Sequence, residues 1–151
     1  MTKLFETTEI RGMKLANRFV RSATWEGMAT EDGACTPGLV ALMRELARGR
    51  VGLIITSHAY VRKDGQAGPW QLGIYEDGLA AGLKEMTRAV HDEGGCIVLQ
   101  LSHAGFFANP KLTGTTPLGA SEVEGFSRSP RMVMTSRDIG HLVKAFGRAA
   151  G

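Results

Sequence analysis

Three short segments carry polar side chains just where an extended or apolar run stops. They are Ala23-Thr24-Trp25-Glu26, Thr56-Ser57-His58-Ala59 and Gln100-Leu101-Ser102-His103. In parallel α/β folds the ligand site lies at the C-terminal ends of the strands, so this coincidence is the first pointer to chemistry. Gln100 is the most informative residue because it interrupts "IVLQL", a strand otherwise written in aliphatic side chains. A buried amide needs partners for its donor and its acceptor. It either bonds neighbouring backbone in a core or faces the polar edge of a planar ligand. His58 and His103 each follow a strand and either organise a loop or place a donor or proton near a substrate. Trp25 either packs a loop or walls an aromatic ligand pocket. Glu26 reads as a solvated carboxylate, and Ser22, Thr24 and Ser57 add hydroxyls. His91, near a helix C-terminus, reads as a charge set against the helix dipole. No Ser-His-Asp order and no HExxH pattern occurs, so hydrolase chemistry gains little support.

The elements that must position these residues follow from periodicity and punctuation. "TTEI" and "MKLA" flank Arg11-Gly12, the turn of a hairpin over residues 7–16. A first longer strand is expected over residues 18–23. Thr36 makes an N-cap with Pro37 at the first helical position. Leu39, Leu42, Met43 and Leu46 then share one helical face, and Gly49 ends the helix. Residues 51–57 open on a continuous apolar run, the mark of a strand covered on both faces. Asp77 is expected to cap a second helix with an apolar face of Leu79, Leu83, Met86 and Val90, stopped by Gly94-Gly95. Residues 96–102 form the next strand. Residues 106–134 lack strong periodicity and hold three prolines, Pro110, Pro117 and Pro130; a loop of that length is a functional excursion or disordered. Thr135 with Asp138 three residues on reads as a capping-box variant. The helix it opens, over residues 136–150, presents Ile139, Leu142, Val143 and Phe146.

Strand, helix, strand, helix, strand, long loop and helix describe an α/β chain with a parallel sheet and helices outside. An open doubly wound sheet and a barrel both satisfy that order. The phosphate-binding loops G-x-G-x-x-G after the first strand and G-x-x-x-x-G-K-[ST] are absent. A (β/α)8 barrel needs about 250 residues, so three strands and a following helix in 151 residues read as about half of one, with the barrel incomplete.

Composition bounds the class. With 43% hydrophobic and 22% charged residues the chain is an ordinary globular domain rather than a disordered one. A net charge of +3 from 18 basic and 15 acidic residues, scattered along the chain, gives no footprint for nucleic acid. The twenty glycines imply many turns or close backbone approaches. Cys35 and Cys96 fit no metal spacing and read as reduced thiols of a cytoplasmic protein. The longest apolar strand-like run, near "VGLII", is far short of the ~20 residues that span a bilayer, and "MTKLFETTEI" lacks the apolar core of a signal peptide.

Taken in order and spacing, "LFETTEIRGMKLANRFVRSATWEGMAT", "GLIITSHAYV", "LGIYED" and "IVLQLSHAG" resemble the N-terminal half of the Old Yellow Enzyme-type NADH:flavin oxidoreductases. The terminal "IGHLVKAFGRAAG" resembles the helix before their fourth barrel strand. The resemblance implies an FMN-binding TIM barrel that opens with a hairpin across its bottom. NADH or NADPH would be the reductant, and an electron-poor alkene or related small molecule the acceptor. It implies that Ala23 and Thr24 lie along the flavin and that Trp25 touches flavin or substrate. His58 would fall near the ring where relatives often carry a small residue, and Gln100 would bond the pyrimidine edge. Where many relatives read HAGR, this chain has Phe106 in place of the arginine. The family's acceptor-binding His pair or His/Asn pair and its proton-donating tyrosine follow the fourth strand, so the resemblance places no catalytic residue among these positions. It leads to two expectations: an FMN-dependent oxidoreductase segment inactive alone, or a non-catalytic half-barrel that associates with another copy or with a C-terminal half.

Overall fold

The computed structural model describes residues 3–122 and 130–151. Arg11 (φ 44) and Gly12 (φ 89) both take the left-handed backbone of a tight hairpin turn. They join β1 (Thr8–Ile10) to β2 (Met13–Leu15), paired antiparallel. The expected strand over residues 18–23 contracts to β3 (Val20–Arg21). Beyond Arg21 the chain leaves the sheet for a loop.

Helix α1 (Pro37–Arg48) begins where the sequence places it, with the Thr36 hydroxyl accepting from the Leu39 amide, and it ends at Gly49. Strand β4 (Leu53–Tyr60) starts later and runs further than its apolar run suggests, because Ser57 and His58 remain within it. Helix α2 (Ala80–His91) departs from expectation at its start. Asp77 does not cap it; the chain enters through a 3-10 turn over Asp77–Leu79 without a side-chain cap. Strand β5 (Ile97–Ser102) follows.

Strands β3, β4 and β5 form one parallel sheet in that order, with α1 and α2 as the crossovers. Their apolar stripes bury one face. Leu39, Val40, Met43 and Ala47 of α1 meet Leu83, Met86 and Val90 of α2 over Ile54, with Ala29, Ala59 and Leu72 completing the core. The opposite face is open. Val20 and Val98 remain substantially exposed there, and no residue of β5 is fully buried, although its sequence is as apolar as that of β4. An edge strand with one uncovered face accounts for this.

The segment after β5 carries more structure than its sequence suggests. It contains a 3-10 turn (Gly105–Phe107), a short α3 (Pro110–Thr113), and a parallel pair of β6 (Leu118–Gly119) with β7 (Met132–Val133). Residues 123–129 of this expected loop lie outside the described residues. Arg131 donates to the Phe106 carbonyl at 2.9 Å and sits over the Phe106 ring. Helix α4 (Ser136–Ala150) opens on the Thr135–Asp138 capping box. Its apolar face docks only in part: Leu142 and Phe146 are half-buried, while Ile139 and Val143 are exposed. Among the described residues no helix is long and apolar enough to cross a membrane, and Cys35 and Cys96 are free thiols.

Candidate functional site

The site is built around an irregularity in β4. Ile55 pairs with Val98, but the next partner of Gln100 is His58, so β4 carries one more residue than β5 over this interval. Such a β-bulge re-aims the side chains beyond it. Here the two less-buried residues of β4 are Ile55 and His58, three apart rather than two. His58 thereby stands beside Gln100. The Thr56 hydroxyl mends the ladder on this side, accepting from the Gln100 amide at 3.3 Å and donating to the Ser57 carbonyl at 2.8 Å.

On the other side of β4 the ladder with β3 stops at Arg21 and Ile54. Arg21 and Glu26 take over. The Arg21 guanidinium donates to the Ile55 carbonyl at 2.9 Å and reaches the Thr24 carbonyl at 3.5 Å. It pairs with Glu26 at 2.7 Å, and Glu26 accepts the Ser57 amide at 3.3 Å. The side chains are 16% and 4% exposed, so this ion pair is largely shielded from solvent. The reading of Glu26 as solvated is therefore corrected: the carboxylate is tied to a cation and an amide that lie five and thirty-one positions away in sequence.

Between Arg21 and Glu26 the chain presents Ala23, half-buried, and Thr24, exposed with its hydroxyl donating to the Ser22 carbonyl. Trp25 follows, 44% exposed, its ring centroid 5.4 Å from that of His58 at an interplanar angle of 50°. Two glycines make room for the indole. A Cβ on Gly27 would lie 2.6 Å from Trp25 Nε1, and one on Gly68 2.3 Å from Cη2. Gly27 also holds a positive φ of 61°. The structure thus brings Trp25, His58 and Gln100 into one neighbourhood, with Ala23 and Thr24 on the loop that delivers Trp25.

Gln100 itself departs from expectation. Its side chain is exposed rather than buried and makes no hydrogen bond among the described residues. Ser102 lies two residues on, on the same face of β5 by strand alternation. Its hydroxyl oxygen is buried without a partner among the described residues. The sequence showed Ser102 only as one more polar residue at a strand end; its isolation depends on β4 crossing beside it, with Tyr60 in register.

His103 is committed elsewhere. Its side chain is 4% exposed, Nδ1 accepts the Gly105 amide at 3.1 Å, and Nε2 faces Asp64 at 3.4 Å. Asp64 also takes a two-point bond from Arg62. Burial works to raise the Asp64 carboxyl, but the His103 hydrogen bond and the Arg62 charge outweigh it and hold the group below its ordinary value. Cys35 is the opposite case: burial, aided by the charge of Glu85, pushes its thiol up to about 11, which favours the protonated form. Among the described residues no cluster of His, Cys, Asp or Glu could hold a metal.

A parallel β/α sheet with polar groups gathered at strand ends, behind a bottom hairpin, is the opening portion of a TIM barrel, here without a closed barrel. The comparisons agree. The chain matches the NADH:flavin oxidoreductase / NADH oxidase family over residues 3–151, and it belongs to that family. It is 33% identical over 141 residues to an NADH:acrylate oxidoreductase of Vibrio harveyi, covering 91% of this chain and 14% of the relative. It is 32% identical to an NADPH dehydrogenase of Halalkalibacterium halodurans, covering 95% of this chain and 42% of that one. The crystal structure of Old Yellow Enzyme from a Pichia species superposes with a TM-score of 0.91 at 26% identity, over 99% of this chain and 42% of its own. The chain therefore spans less than half the length of each of these proteins.

Proposed function

We propose that this chain supplies the flavin floor of an FMN-dependent oxidoreductase of the ene-reductase kind. The overall reaction would move a hydride from NADH or NADPH to an electron-poor alkene or a related small-molecule acceptor. The observation that carries this reading is the free, exposed amide of Gln100 beside His58 in a family whose members are flavin oxidoreductases. An amide that donates and accepts side by side fits the polar edge of an isoalloxazine. The orphan Ser102 hydroxyl on the same face, the open side of the sheet and the indole of Trp25 fit the ring's remaining demands.

When bound, FMN would supply two-electron chemistry, accepting hydride from the nicotinamide and passing it on. The residues of this chain do other work. Gln100 would fix the ring's edge, Ala23 and Thr24 would lie along its face, and Trp25 with His58 would wall one side and touch the acceptor. The resemblance puts the acceptor clamp and the phosphate-binding loops beyond the fourth strand, so the 151 residues alone are expected to be inactive and to purify colourless. Stoichiometric yellow flavin on a monomer of this chain would contradict that. FMN titration of the wild type against Gln100→Leu tests the role of the amide. A loss of affinity of about tenfold is expected from one hydrogen-bonded pair, and an unchanged affinity removes Gln100 from the site.

The exposed Val20 and Val98 on the open face, with Ile139 and Val143 on α4, favour a second reading. In it the chain is a non-catalytic half-barrel that associates with another copy or with the C-terminal strands of such a barrel. Size-exclusion chromatography separates the two states: a monomer at all concentrations contradicts self-association.

A further inference from the structure

The Arg21–Glu26 pair takes two backbone groups that β4 exposes beyond its last pairing with β3: the Ile55 carbonyl and the Ser57 amide. These flank the extra residue of the bulge that sets His58 beside Gln100. The same guanidinium reaches the Thr24 carbonyl, next to Trp25. One ion pair thus grips both the bulge that aims His58 and the loop that delivers Trp25. We infer that Arg21 and Glu26 are positioning residues that lock the β4 bulge and thereby set the Trp25–His58 wall.

The physical case rests on accounting for backbone groups. The ladder with β3 ends at Arg21 and Ile54, which leaves the Ile55 carbonyl and the Ser57 amide without strand partners, and a buried amide or carbonyl without a partner is costly. Ser57 is itself buried, so its amide cannot fall back on solvent. The planar guanidinium is suited to the task because its fork reaches Ile55, Thr24 and Glu26 at once. Without the pair those two groups lose their partners, and nothing on that side then opposes a one-residue slip of β4, which turns His58 to the opposite face.

The functional meaning of the wall rests on the flavin reading, but the positioning does not, and the test keeps the two apart. It uses the 151-residue chain without flavin and reads two local signals by NMR: the proton contact between the Trp25 and His58 rings, and hydrogen-exchange protection of the Ser57 amide. Glu26→Ala is expected to abolish the ring contact and to lower Ser57 protection at least tenfold, while the amides of α1 and α2 stay within about twofold. Glu26→Gln, which keeps an acceptor for both partners, is expected to retain the ring contact. Arg21→Met/Glu26→Leu avoids leaving a lone buried charge; it is expected to fold and to lose the contact as Glu26→Ala does. Survival of the ring contact and of Ser57 protection in both Glu26→Ala and the double variant overturns the proposal. So does an equal loss of protection in the helices, or a general failure to fold, since either makes the pair a stability element without local aim. Adding FMN afterwards tests the other reading alone: wild type that ignores FMN removes the flavin floor and leaves the positioning result standing.

Discussion

His58 on β4 stands in register with Gln100 on β5, and it does so only because β4 holds one more residue than β5 between Ile55 and His58. Side chains alternate along a strand, so an unbroken ladder would have aimed Ser57 where His58 now lies. The bulge is what sets His58 beside Gln100 at the edge of the candidate site.

Thr56 maintains that bulge on the β5 side, where its buried hydroxyl accepts from Gln100 and donates to Ser57. Thr56→Val keeps the shape and removes the hydroxyl, leaving the Gln100 amide short of a partner in a part-buried setting. The expected loss is about 1–3 kcal/mol, read as a lower denaturant midpoint at unchanged slope. A midpoint equal to wild type would show that the Gln100 amide finds another partner.

At two glycines an added Cβ would lie the same 2.3 Å from an aromatic ring, and they should respond differently to alanine. Gly65 meets the ring of His103, which is pinned from both nitrogens, whereas Gly68 meets the outer edge of the half-exposed Trp25. Gly65→Ala is expected to cost about 1–3 kcal/mol, the usual cost of overpacking. Gly68→Ala should push the indole outward, raising its accessibility to acrylamide with a stability loss below about 1 kcal/mol. Equal losses in thermal or urea unfolding would mean Trp25 is held as tightly as His103.

The Asp64 carboxyl sets a pH dependence. Burial opposes its ionisation, but the His103 hydrogen bond and Arg62 carry its folded-state value below the ordinary one. A depressed carboxylate contributes stability that is complete above its unfolded value, near ~4, and is lost as pH falls through the lower folded value. Urea midpoints measured from pH 6 downward should therefore fall more steeply in wild type than in Asp64→Asn. Asp64→Asn should itself lose about 1–3 kcal/mol at pH 7. Parallel pH profiles for the two proteins would remove Asp64 from this role.

Much of this architecture could be read from the chain, because local chemistry decides local structure. Thr36-Pro37 and Gly49 bracket α1, Thr135 and Asp138 open α4, and Arg11-Gly12 turns the hairpin. Each signal sits within a few residues of what it controls. The grouping of the candidate residues at strand ends was legible, but their environment was not. Gln100 stood out as an amide among aliphatics, yet burial follows from neighbours, and its face of β5 is open. Glu26 was misjudged because its partners lie in two different strands and one of them depends on the bulge. A continuous apolar run has no period in which an extra residue could show. Asp77 looked like a cap because nothing local reveals that a 3-10 turn precedes α2.

The exposed pair on α4 carries its own expectation. Ile139 is 48% and Val143 65% exposed on a helix whose neighbouring apolar side chains are docked. Ile139→Lys/Val143→Lys should reduce self-association in sedimentation velocity, with helix content by circular dichroism unchanged. An identical distribution of species in wild type and variant would place the associating surface elsewhere, such as the open sheet face.

The most direct test of the flavin floor is an NMR titration of the labelled chain with FMN, which reports location even when binding is weak. The account predicts that the first and largest shifts fall on the Gln100 side-chain amide, the His58 ring and the Trp25 indole N–H, and that Gln100→Leu, which removes the first of these signals, diminishes the other two. Shifts confined to the basic side of α4 around Lys144 and Arg148, or no shifts at millimolar FMN, would contradict it.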